Sequence, residues 1–90
     1  MTEENEFGNS DHGNILVVDD DAQIRMLVTK FLQRQGYHVF SAPDGLSIGD
    51  TLSRFFIDAI ILDVMLPGRS GIDVCKQIRL HSSVPIIMLT

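Results

Sequence analysis

Four aspartates stand where this chain could do chemistry. Asp19, Asp20 and Asp21 follow the apolar run Ile15-Leu16-Val17-Val18, and Asp63 follows Ala59-Ile60-Ile61-Leu62. Continuous apolar runs of this length suit parallel strands buried on both faces. Asp19, Asp20 and Asp63 are therefore expected at the carboxyl ends of two strands, the place where open α/β sheets bind ligands when strand order reverses there. If the two strands are neighbours, the three carboxylates converge and raise one another's pKa by repulsion. A divalent cation relieves that repulsion. An all-oxygen site with few protein ligands suits Mg²⁺, which keeps several waters. The competing reading makes these residues helix caps at strand-to-helix turns. It accounts well for Asp21, which precedes a helical pattern, and poorly for Asp63, which is followed by Val64-Met65-Leu66-Pro67.

The elements that must position these side chains follow from periodicity. In residues 22–36, "AQIRMLVTKFLQRQG", the residues Ile24, Leu27, Val28, Phe31 and Leu32 mark one face of a helix, with Asp21 as N-cap and Gly36 just past its end. Residues 37–42 alternate and predict a short, half-exposed strand, and Pro43-Asp44-Gly45 a turn. Residues 46–56 carry Ile48, Leu52 and Phe55 at helical spacing, weakened by Gly49. A loop is expected over 64–71. A helix is expected over 72–80, with Ile72, Cys75 and Ile78 inward and Lys76 and Arg79 toward its C-terminus, where the dipole favours cations. Residues 86–89 of "VPIIMLT" predict another buried strand. The order β-α-β-α-β-α-β implies a parallel sheet with helices on both faces and right-handed crossovers. Tyr37, Phe40, Phe55 and Phe56 are expected as packing residues, and His12, His38 and His81 share no ligand spacing.

Composition narrows the functional classes. Ninety residues make one domain at most, and a formal net charge of −5 disfavours an electrostatic nucleic-acid or membrane-surface role. The lone cysteine, Cys75, precludes an intrachain disulfide and fits a reducing, cytoplasmic setting. No apolar run approaches the roughly 20 residues that span a bilayer. The start, "MTEENEFGNSDHGN", is acidic and has no signal-peptide pattern; residues 1–13 are expected to be a flexible acidic tail.

Three stretches together, "ILVVDDD", "LDVMLPGRSG" and "PIIMLT", resemble the receiver domain of bacterial two-component response regulators. The wording is most similar to the OmpR/PhoB-like winged-helix class, and the resemblance covers residues 14–90. It implies the flavodoxin-like, CheY-like fold. It also implies that Asp63 is the phosphoacceptor, taking a phosphoryl group from a sensor histidine kinase, a use of aspartate as nucleophile. Asp19 and Asp20, with Asp63 and the backbone carbonyl of Met65, match the residues that hold Mg²⁺. Thr90 matches the switch hydroxyl, and Pro67, Gly68 and Gly71 match the loop that shapes the site. The family controls an output, here transcription through a DNA-binding effector domain, and is not expected to act as an enzyme in its own right.

Within these 90 residues the family pattern is incomplete. Phosphoryl transfer needs charge neutralised on the equatorial oxygens. The family's lysine at the end of the fifth strand has no match, because Lys30 and Lys76 fall within helices. The fourth helix, fifth strand, fifth helix and effector domain are likewise expected to be missing, so the fragment should respond poorly to phosphorylation. An apolar fourth strand left at the sheet edge is a template for pairing with another chain, which makes self-association the alternative role. A haloacid-dehalogenase-type phosphatase is the remote alternative: Asp19 and Asp21 fit its Asp-x-Asp-x-Thr/Val pattern, but Gln23 occupies the last position.

Overall fold

In the computed structural model residues 12–66 and 68–89 are described. Residues 1–11 of the tail expected over 1–13, Pro67 of the site loop and Thr90 lie outside the described residues. Gly13 already joins the framework, its carbonyl accepting from the His38 N–H at 3.0 Å.

The chain runs β1 (Asn14–Val18), α1 (Ala22–Arg34), β2 (His38–Ala42), α2 (Ile48–Arg54), β3 (Ala59–Asp63), β4 (Met65–Leu66), β5 (Arg69–Ser70), α3 (Gly71–Arg79) and β6 (Ile86–Leu89). Four strands form one parallel sheet in the order β2-β1-β3-β6. Strand order reverses at β1 and β3, as a doubly wound sheet requires. The registers Val18↔Leu62 and Asp63↔Leu89 bring the carboxyl ends of three strands level.

Side chains alternate along each strand. On one face Leu16, Val18, Ile60 and Leu62 meet Ile48 of α2 and Val74 and Ile78 of α3 in the main core. On the other face Ile15 and Val17 are buried, and α1 packs over β1 and β2. Helices thus cover both faces. No helix of the described residues is long and apolar enough to cross a membrane.

Four local expectations change. The apolar stripe of α1 is real, but Ile24, Leu27 and Phe31 are exposed, and only Val28 and Leu32 are half-buried. With α2 and α3 committed to the main core, α1 stands alone on its face among the described residues, and its stripe is covered only where it meets β1 and β2. In α3 the buried set is Gly71, Val74 and Ile78, with Ile72 exposed and Cys75 half-buried against the core. The helix α2 is shorter than its periodic pattern and ends at Phe55 in extended backbone, leaving Phe55 and Phe56 exposed while Ile57 is buried; Phe55 still meets the Phe40 ring at 4.7 Å. Finally, the loop over 64–71 contains an antiparallel hairpin, β4 with β5. Gly68, at φ 77°, makes its turn, and Leu66 anchors it in the core.

Candidate functional site

Asp19 is the first residue past β1 and is 5% exposed. Three bonds pin it. Its N–H donates to the Ala42 carbonyl at 3.2 Å, its carbonyl accepts from Arg25 Nη1 at 2.7 Å, and its Oδ1 accepts from the Asp21 N–H at 2.9 Å. Asp20, one residue on, is exposed. Asp21 is the N-cap of α1, with Oδ1 accepting from the Gln23 and Ile24 N–H groups at 2.9 and 3.2 Å. The capping reading therefore holds for Asp21 alone, and its neighbours remain available for other work.

Asp63 ends β3. Its Oδ1 accepts from the Met65 N–H at 3.0 Å, which fixes the carboxylate through one of its two oxygens. Because β1 and β3 are hydrogen-bonded neighbours, oxygens of Asp19, Asp20 and Asp63 all lie within 4.8 Å of one another. Burial, the largest cause, and then the charges of Asp63, Asp20 and Asp21 push the Asp19 carboxyl above the usual aspartate range, against the opposing pull of the Asp21 N–H. The donor set, three carboxylates with oxygens within 4.8 Å of one another, has the all-oxygen chemistry that a small hard cation takes.

The loop that follows is held tightly against the acceptor. The Gly71 N–H donates to the Val64 carbonyl at 2.6 Å, and the Val64 N–H donates to the Leu89 carbonyl at 3.0 Å. A Cβ on Gly71 would sit 2.7 Å from Val64 Cα and collide with the Asp63 carbonyl. Only glycine permits this approach, and the same approach turns residues 71, 74 and 78 inward. Ser70 caps α3, its Oγ accepting from the Asp73 N–H at 3.1 Å. Met65 heads β4 with its side chain exposed, Gly68 supplies the hairpin turn, and Lys30 and Lys76 are exposed on α1 and α3. Leu89, the last residue of β6, lies opposite Asp63.

One participant is not evident from motif reading: Arg25, whose guanidinium holds the Asp19 carbonyl. Its signal in the sequence is a cation in the first turn of a helix that has no acidic residue there, the reverse of the dipole preference.

Comparison with known proteins agrees with this geometry. The profile of the response regulator receiver domain matches residues 15–90. The transcriptional regulatory protein ResD of Bacillus subtilis is 48% identical over 77 residues, covering 84% of this chain and 32% of that protein. The DNA-binding response regulator MtrA of Mycobacterium tuberculosis is 43% identical over 76 residues, covering 84% of this chain and 33% of its own. The chain thus spans about a third of the length of these curated relatives. Among solved structures, the response regulator TrrA of Thermotoga maritima in complex with Mg²⁺–BeF superposes with a TM-score of 0.80 at 38% identity, over 87% of this chain and 69% of that one. The BeF₃-activated receiver domain of Klebsiella pneumoniae RstA gives 0.79 at 31% identity, over 86% and 66%. Sheet order, the carboxylate cluster at the strand ends and a profile match running from β1 to the last residue together identify this chain as a member of the response regulator receiver domain family.

Proposed function

We propose that Asp63 is the phosphoacceptor of a two-component signalling module, and that Asp19 and Asp20 hold Mg²⁺ beside it with the Met65 carbonyl as a further ligand. The observation that carries this reading is the convergence of Asp19, Asp20 and Asp63 within 4.8 Å at the ends of adjacent strands. An oxygen of Asp63 attacks the phosphorus of a phosphohistidine on a sensor kinase. The new P–O bond forms as the P–N bond breaks, and its electron pair returns to the imidazole nitrogen. The hydrogen bond from the Met65 N–H to Oδ1 orients the nucleophile without consuming its second oxygen. When bound, Mg²⁺ neutralises charge on the phosphoryl oxygens.

Thr90 is assigned the switch role and Pro67, Gly68 and Gly71 the shaping of the loop. The transcriptional and DNA-binding relatives favour transcription as the output, through a DNA-binding domain, in a cytoplasmic setting. Beryllofluoride with Mg²⁺, followed by amide chemical shifts, tests the site. Shifts clustered at residues 19–21 and 63–65 are expected, and their absence in both ions together would end this reading.

A second reading has its own observation. In β6, an edge of the sheet among the described strands, Ile87 is 54% exposed, and edge strands of this kind pair between chains. Light scattering across a dilution series should show concentration-dependent mass that Ile87→Lys reduces. A mass constant with dilution would dismiss it.

A further inference from the structure

We infer that Arg25 is a positioning residue of this cation site, holding the peptide that joins Asp19 to Asp20 so that both carboxylates face Asp63. The inference rests on the reading of these aspartates as cation ligands. Arg25 Nη1 donates to the Asp19 carbonyl at 2.7 Å in a partly buried setting. That carbonyl belongs to the planar unit running from Cα of Asp19 to Cα of Asp20. Holding its oxygen therefore sets the direction in which both residues leave the end of β1. The N–H of Asp19 is anchored on Ala42, so one residue of backbone is clamped from both sides.

Its placement argues against a bystander role. Arg25 lies in the first turn of α1, which carries no acidic residue, and a cation there opposes the helix dipole. Local preferences broken in this way tend to mark functional positions. The guanidinium is bonded to the Asp19 carbonyl, so its hold on the site runs through the backbone.

This distinction gives the test a sign. Removing a positive charge beside a cation site should tighten Mg²⁺ binding by simple electrostatics. Removing the clamp should weaken it, because Asp19 and Asp20 lose their shared orientation and the carbonyl loses its partner. Supporting contacts of metal ligands typically contribute tenfold or more to affinity. Magnesium alone is titrated into the 90-residue chain, with amide shifts as readout and thermal unfolding of each variant measured in parallel. Arg25→Met is expected to weaken Mg²⁺ binding about tenfold, and Arg25→Lys, which keeps a donor and the charge, to restore it to within about threefold of the original. Equal or tighter binding by Arg25→Met overturns the inference, even where its unfolding temperature falls. If Arg25→Met does not fold, Arg25→Gln is judged by the same criterion. Failure of the unaltered chain to bind Mg²⁺ would overturn the site reading itself, a result distinct from equal binding by chain and variant.

Discussion

Asp63→Asn should stabilise the cation-free fold while removing the nucleophile. The substitution keeps the shape of the side chain, and Asn Oδ1 can still accept the Met65 N–H that Asp63 accepts at 3.0 Å. What it removes is one negative charge from a set whose oxygens lie within 4.8 Å. At that separation the Asp19–Asp63 repulsion is about 0.9 kcal/mol with water-like screening and about 3.5 kcal/mol at an effective dielectric of 20. Asp19 is buried and Asp63 half-buried, so about 1–2 kcal/mol is the expected gain, or roughly 4–16 °C in unfolding temperature for a domain of this size. The dependence on pH follows from Asp19, whose carboxyl is raised by burial and then by the Asp63 charge. A raised aspartate takes up its proton in the folded state before the unfolded chain does. Its cost is therefore present above the raised value and is lost as pH falls toward the ordinary value of about 3.9. The advantage of Asp63→Asn should be full near neutral pH and shrink as pH falls through that window. Saturating Mg²⁺ should also shrink it, since the cation offsets the same repulsion and stabilises the form it binds. Thermal unfolding of both proteins across pH, with and without Mg²⁺, checks all three statements. Equal or lower stability of Asp63→Asn at neutral pH without cation would refute the repulsion argument, as would a gain that Mg²⁺ leaves unchanged.

Gly71→Ala forces a methyl into the backbone of Asp63 and Val64; a loss of about 1–3 kcal/mol is expected, with amide shifts at residues 63–65 showing that the loop has moved. Asp21→Ala removes the acceptor for two N–H groups of α1 and should cost about 1 kcal/mol in denaturant unfolding, with little change in Mg²⁺ affinity because Asp21 is a cap. Ile60→Ala empties a site with no exposed surface at the centre of the sheet; a loss of about 2–5 kcal/mol is expected, enough to unfold a small domain at ambient temperature, as circular dichroism would show.

The parts of this fold that depend on strand ends were legible in the sequence, and those that depend on close approach between elements were not. Asp63 stood out because an apolar run ended on a carboxylate with no helix behind it to cap. The adjacency of β1 and β3, which makes the cluster, is a matter of topology that no local pattern contains. In α3 the sets 72, 75, 78 and 71, 74, 78 both satisfy helical spacing; the choice falls to the second because Gly71 lies against the Asp63 and Val64 backbone. In α1 the periodicity held, but a stripe is covered only where a partner exists, and Ile24, Leu27 and Phe31 remain exposed. Arg25 belongs with these cases. Its partner is a carbonyl, which every residue possesses, so no residue type at position 19 could announce the contact. The side chains that do the chemistry declare themselves by type and spacing. The bonds that aim them run to the backbone, as in Arg25 to Asp19, Met65 to Asp63 and Gly71 to Val64. The geometry of this site therefore had to come from the fold, even where every carboxylate in it could be named beforehand.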